Sequence, residues 1–218
     1  MIFRDRTDAG KILAGHLGQY ADRRDVVVLA LPRGGVPVAF EVAEKLNAPL
    51  DVIIVQKLGT PGQEELAMGA IASGNVKILN HYVIEQLGIS QAQIASAVAH
   101  EQKELQRRER FYRGDRPPID VSGRIVILID DGLATGSSMR AAAAAIRQRQ
   151  PSQLVLAVPV ASESTCAELK EEVDEVVCAV TPMAFYAVGQ WYQEFSQTTD
   201  QEVRELLTRA AARMPHAA

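Results

Sequence analysis

The stretch Val26–Leu31 (VVVLAL) is apolar at every position, and Leu50–Val55, Arg124–Ile129 (RIVILI) and Leu154–Val160 are nearly so. A strand with one wet face alternates apolar and polar residues. Strands apolar throughout need cover on both faces. Helical patterns lie between them. A helix capped by Thr7 or Asp8 is expected to reach about Tyr20, and another follows Gly35 to about Leu46. Ser90 opens a long one to about Arg113, Ser137–Gln148 is rich in alanine, and Ser162 caps one to about Glu172. Glu175–Val180 adds a further strand, and Thr199-Asp200-Gln201-Glu202 is a capping box for a last helix. This alternation predicts an α/β fold, an open and mainly parallel sheet with helices on both faces. In such sheets ligands sit beyond the carboxyl ends of the strands, which singles out the ends after Leu31, Val55 and Ile129.

At 218 residues and 47% hydrophobic content, one such domain buries a sizeable core without staples. The net charge of −4 implies no broad basic surface, so nucleic acid is not an expected partner. The start MIFRDRTDAGK carries charges where a leader needs an apolar core, and Val26–Pro32 is far too short to cross a bilayer, so no membrane partner is expected. Cys166 and Cys178 have neither metal nor redox spacing. They are expected as two thiols in a reducing cytoplasm, with no disulfide.

The segment Val126–Met139 (VILIDDGLATGSSM) carries the chemistry. A buried strand delivers Asp130 and Asp131 at its carboxyl end. The turn Gly132-Leu133-Ala134-Thr135-Gly136-Ser137-Ser138 then opens a helix. Small residues let backbone N–H groups point into one concavity, and a helix start adds a positive dipole end. The hydroxyls of Thr135, Ser137 and Ser138 add donors. A phosphate fits that cradle. The two carboxylates only accept hydrogen bonds, so they suit the hydroxyls of a polyol. A sugar 5-phosphate with vicinal hydroxyls satisfies both halves.

That segment resembles the phosphoribosyl pyrophosphate (PRPP) signature of the type I phosphoribosyltransferases. Matched by position, the resemblance implies that Asp130 and Asp131 hold the ribose 2- and 3-hydroxyls, and that Ala134, Thr135, Gly136, Ser137 and Ser138 hold the 5-phosphate. Gly132 departs from the branched apolar residue usual there, and Ser138 replaces a common threonine. Leu31-Pro32-Arg33-Gly34-Gly35 resembles the family's pyrophosphate loop, with Arg33 neutralising charge and Gly34 and Gly35 permitting close backbone approach. Lys57 resembles the basic residue beside the pyrophosphate. Residues 57–75 read as a loop leading into short, weakly patterned strands, with Val76–Leu79 one of them, and residues 58–75 resemble a mobile flap.

The expected layout is one phosphoribosyltransferase-like domain over 1–218. Its core spans about 25–180, with a helical insertion at about 80–115 and a C-terminal hood at about 181–198. The hood stretch TPMAFYAVGQWYQEF offers Phe185 and Tyr186, with Trp191 behind them, for stacking on an acceptor or for packing. The implied activity is Mg2+-dependent transfer from PRPP to a small nitrogenous acceptor, expected to be a nucleobase. Arg33, Lys57, Asp130 and Asp131 are the catalytic candidates. The metal is expected on PRPP and water rather than on protein ligands. A non-catalytic PRPP- or nucleotide-binding regulator is the alternative. The charged run Glu101–Arg113 reads as a solvated face, with a subunit contact, and so a homodimer, as its other use. Gly10–His16 imitates a P-loop without the lysine, and His100-Glu101 lacks the second histidine of a zincin helix.

Overall fold

The computed structural model describes residues 2–213. Its centre is a parallel sheet of five strands: β1 Val26–Ala30, β2 Leu50–Val52, β6 Ile125–Ile129, β7 Gln153–Val160 and β8 Glu175–Val180, in the order β2-β1-β6-β7-β8. All four pairings are parallel, with Val26 opposite Ile125 and Ala30 opposite Ile129. The run of β1 splits between two cores by side-chain parity. Val26, Val28 and Ala30 join one, and Val27 and Leu29 the other. β6 divides in the same way, Ile125, Ile127 and Ile129 against Val126 and Leu128. Each strand therefore buries both faces, which is why no position could be polar.

The first core is closed by α1 (Arg6–His16), α2 (Gly35–Leu46), α4 (Gln91–Arg113) and α7 (Asp200–Arg213). The second is closed by α5 (Ser137–Arg147) and α6 (Glu163–Leu169). The caps follow side-chain chemistry. Ser90 and Gln93 form a reciprocal capping box, and Ser162 Oγ accepts from Thr165 N–H. For α1, Asp5 rather than Thr7 or Asp8 takes the cap and accepts from Asp8 N–H at 2.7 Å. That helix ends at His16, and a short 3-10 turn, Gly18–Tyr20, completes the expected span.

Three expectations need correction. The apolar run Leu50–Val55 is not one strand. β2 stops at Val52, and Val55 begins β3 (Val55–Thr60) of a second sheet. The turn between them is sealed by Ile54 N–H donating to Ser73 Oγ at 2.9 Å. Residues 58–75 are not a loop. β3 and β4 (Gln63–Ala72) form an antiparallel hairpin, and β5 (Val76–Leu79) completes a three-stranded sheet. Leu58, Met68 and Ile71 root it in the first core. The sparse sequence pattern hid it because the tip, Gln63 to Leu66, is exposed on all sides. The third correction concerns the cysteines. Cys166 of α6 and Cys178 of β8 are joined as a disulfide, because the helix packs over the strand and brings the two sulfurs together.

The charged run of α4 is likewise more than a solvated face. Arg113 is 8% exposed and lies in a buried ion pair with Asp51 at 2.8 Å, with Glu109 at 3.0 Å. A short helix preceding α4, α3 (His81–Gln86), was not evident in the sequence. No helix among the described residues is long and apolar enough to cross a membrane.

Candidate functional site

The chain runs from β1 outward to β2 and later returns to place β6 on the other side of β1. That reversal opens a crevice between the carboxyl ends of β1 and β6. Pro32-Arg33-Gly34-Gly35 leaves β1 there, and Asp130-Asp131 leaves β6. Leu31 N–H still donates to Ile129 O at 2.9 Å, so the two turns start side by side. The Pro32–Arg33 peptide is cis.

The glycines are required by contact. A Cβ on Gly34 would lie 2.7 Å from Cγ of Asp131. One on Gly35 would lie 2.8 Å from Ile129 O and 2.9 Å from Asp130 Cα. All three distances are shorter than a Cβ tolerates, so only glycine lets the first turn of α2 rest on the acidic pair. Gly132, the departure noted in the signature, has a similar cause. A Cβ there would lie 2.6 Å from Cγ1 of Val188 in the hood.

The acidic pair is crowded. Burial, followed by the negative charge of Asp131, pushes the Asp130 carboxyl well above the ordinary carboxylate value. Burial raises Asp131 too, and the Arg6 guanidinium opposes that rise. Sequence reasoning missed Arg6. Its Nε and Nη2 both lie 2.8 Å from Asp131 Oδ2, and Nη1 donates to Ser196 O at 2.6 Å. The guanidinium also stacks on the Phe195 ring, 4.0 Å from its centroid. Tyr192 was missed as well. Its hydroxyl donates to Asp131 O at 2.5 Å, and burial first, then the Asp131 charge, raises its pKa strongly. No local signal marks an arginine 125 residues away as the partner of an aspartate.

The turn expected to cradle a phosphate takes the shape its small residues allow. Leu133 N–H donates to Val160 O at 3.0 Å, which fixes the turn against β7. Gly136, at φ +70°, is the N-cap of α5, a left-handed conformation where glycine carries no penalty. Thr135 Oγ1 and Ser137 Oγ lie 3.1 Å apart, and Thr165 Oγ1 donates to Ala134 O at 3.2 Å. Among the described residues no protein acceptor takes the N–H of Ala134, Thr135 or Gly136. Ala134, Thr135, Ser137 and Ser138 are exposed. Unpaired amides at a helix start, open to solvent, are an anion site in waiting.

A cavity of about 530 Å³ continues from the cradle. Ala134 and Thr135 form one wall, Ser162–Thr165 another, and Phe185 and Tyr186 the hood side. The structure thus brings the cradle and both hood candidates to one opening. Tyr186 is 83% exposed, and Phe185 is partly buried against the cluster of Phe3, Val160 and Tyr192. Trp191 belongs to that packing cluster. The hood is sewn to the N-terminal segment: Phe3 N–H donates to Trp191 O at 2.8 Å, and Gln193 N–H to Phe3 O at 2.8 Å.

Two predicted cations stand apart from the acidic pair. Nη1 of Arg33 lies 4.0 Å from Asp200 on α7, and Lys57 Nζ lies 3.7 Å from the Glu65 carboxylate across the hairpin, also donating to Glu65 O at 3.3 Å. No group of three or more His, Cys, Asp or Glu side chains poised for a metal occurs among the described residues. Two adjacent carboxylates are hard oxygen donors, too few for a protein cage. They fit a magnesium ion that arrives on its substrate and keeps its waters.

A buried acidic pair beside a glycine turn, with an amide cradle one turn further on, marks the carboxyl edge of this open α/β sheet as its candidate site. The comparisons give it a family. The phosphoribosyl transferase domain matches residues 6–191, and the chain belongs to the type I phosphoribosyltransferase family. Proteins of Mycobacterium tuberculosis strains CDC 1551 and H37Rv, provisionally named phosphoribosyl transferases, are 49% identical over 210 residues. That match covers 96% of this chain and 47% of theirs, so the chain spans about half their length. The crystal structure of TT1426 from Thermus thermophilus superposes with a TM-score of 0.84 at 42% identity, covering 96% of this chain and 99% of that one. A Neisseria gonorrhoeae protein solved with bound ppGpp shares the fold, with a TM-score of 0.51 at 12% identity over 96% of this chain and 98% of that one.

Proposed function

We propose that this chain transfers the 5-phosphoribosyl group from PRPP to a small nitrogenous acceptor and releases pyrophosphate. The observation that carries the reading is the convergence of Gly34-Gly35 and Asp130-Asp131 at the sheet's switch point, with the free amides of Ala134–Gly136 beside them. Asp130 and Asp131 accept from the ribose hydroxyls. The amides and hydroxyls of residues 134–138 hold the 5-phosphate. The glycine turn offers the pyrophosphate the Gly34 N–H, whereas the Gly35 N–H is already given to Leu31 O at 3.1 Å. Bond breaking at C1 gives an oxocarbenium-like centre, so no protein nucleophile is needed and catalysis is positioning plus charge stabilisation. Magnesium, carried on PRPP, supplies charge neutralisation on the leaving pyrophosphate. Lys57 is assigned to the same leaving group, and the β3–β4 hairpin to excluding water. Phe185 and Tyr186 face the acceptor.

One observation favours a second reading, a non-catalytic binder of PRPP or nucleotide. Both assigned cations are engaged elsewhere, Lys57 with Glu65 and Arg33 near Asp200. The deciding measurement is pyrophosphate release from PRPP and Mg2+ across a panel of purines, pyrimidines and related bases. Release with one acceptor supports the transferase. Tight PRPP binding with no release from any of them supports the regulator.

A further inference from the structure

We infer that the acceptor is a neutral base that donates hydrogen bonds, and that carboxylated acceptors are excluded. This rests on the transferase reading above, and it concerns the 530 Å³ cavity between cradle and hood. The cavity shares Ala134 and Thr135 with the phosphate cradle. A ligand whose phosphate occupies the cradle therefore extends its base into this space. What the base meets is set by the other walls.

Among the described residues no lysine, arginine or histidine lines the cavity, and the one charged side chain there is Glu163. An acceptor carrying a carboxylate would enter with no cation to pair it and with a like charge beside it, and both are unfavourable. Glu163 also occupies the first turn of α6, so the negative charge that a helix start favours is already supplied by the chain itself. The hydroxyl of Ser162 is taken up locally by Thr165, whose N–H lies 3.1 Å and whose Oγ1 lies 2.8 Å from it. Ser162 Oγ also lies 3.0 Å from Ser164 Oγ. The acceptor left with full capacity is the Glu163 carboxylate, which is exposed and makes no hydrogen bond among the described residues. A carboxylate among the lining residues selects N–H donors, whether an exocyclic amine or a ring N–H. Tyr186, exposed at the mouth, supplies a face for a planar ring.

The test has two arms. In the first, pyrophosphate release is measured with adenine, guanine, hypoxanthine and uracil against orotate, nicotinate and quinolinate. Turnover is expected only in the neutral set. Glu163→Gln should raise the acceptor KM about tenfold, the scale of one charge-assisted hydrogen bond, and leave the PRPP KM unchanged. In the second arm, calorimetry compares AMP, GMP and UMP with orotidine and nicotinate mononucleotides on the unmodified chain. At least one neutral-base nucleotide should bind at least tenfold more tightly than either carboxylated one. Turnover with a carboxylated base, equal or tighter binding of its nucleotide, or an acceptor KM that ignores Glu163→Gln overturns the inference. Absence of turnover with every base, alongside selective binding of a neutral-base nucleotide, removes the transferase reading and leaves the pocket assignment standing.

Discussion

The β1–β6 crevice and the β3–β4 hairpin both carry residues assigned to PRPP, yet they are built in opposite ways. In the crevice, two carboxylates sit where burial and mutual repulsion disfavour their charge, and the surroundings hold them there. Glycines press from one side, Arg6 pairs Asp131, and Tyr192 holds its backbone carbonyl. In the hairpin, Lys57 is half exposed and its partner Glu65 is fully exposed. Such a pair contributes little to stability, about 0–1 kcal/mol, and can be exchanged for a ligand at low cost. The crevice is pre-organised beside the part of PRPP proposed to stay. The hairpin is loosely held beside the part proposed to leave. Rigid positioning and a movable cover need these different energetics.

The comparison is broken most severely by removing both carboxylates. Asp130→Asn with Asp131→Asn should weaken PRPP binding by about 1000-fold, from two charge-assisted hydrogen bonds weakened by about 2 kcal/mol each, with the circular dichroism spectrum unchanged. Titration calorimetry with PRPP and Mg2+ decides it, and unaltered affinity would remove the ribose assignment.

Gly34→Ala comes next. The added methyl displaces the Asp131 carboxylate or the start of α2, and affinity should fall on the order of 100-fold. A variant that binds PRPP like the parent would show that the close approach is incidental.

Arg6→Ala leaves Asp131 beside Asp130 without its cation. The expected loss is about 1–3 kcal/mol of stability, below the range for a fully buried pair because some solvent reaches this one. About tenfold in PRPP affinity should go with it. Urea unfolding and calorimetry read the two losses, and an unchanged stability would reduce Arg6 to a surface residue.

On the hairpin side, Lys57→Ala should change stability by less than about 0.5 kcal/mol. Turnover should fall more than nucleotide affinity. Amide exchange across residues 58–72 should slow when PRPP, Mg2+ and an unreactive base analogue are bound. Equal losses of turnover and affinity would give Lys57 a different role, and exchange indifferent to ligand would remove the cover.

The smallest effect is electrostatic. Asp130 has a folded-state pKa above its unfolded value of about 3.9. Its folded carboxyl therefore holds its proton where the unfolded one has lost it, and the stability it contributes disappears as pH rises through the folded pKa. Asp130→Asn should accordingly melt a little higher than the parent near neutrality, with the gap closing as pH falls toward about 4. A gap constant with pH would show that the carboxyl does not titrate abnormally.

What was readable in advance follows the range of the forces involved. The continuous apolar runs implied a doubly covered sheet, because side-chain parity alone demands partners on both faces. The cradle was readable because a helix start, small residues and hydroxyls act within one short turn of chain. Asp130 and Asp131 were visible as the acids before it. The hairpin at 55–72 was not readable, since its tip is solvent-exposed and its stability comes from β5 and the core beneath. Helix α3 was too short to show a period. Arg6 and Tyr192 were hidden because they act on Asp131 across 125 and 61 residues of chain. The cysteine pair was misjudged for the same reason, since a sequence separation of 12 says nothing of how α6 lies over β8. The sequence by itself determined the layered α/β architecture and the small-residue turn that opens α5, because periodicity and backbone chemistry are local. Only the tertiary structure decided which side chains surround the acidic pair and which charges line the cavity between turn and hood, because those neighbours meet through the packing of distant segments.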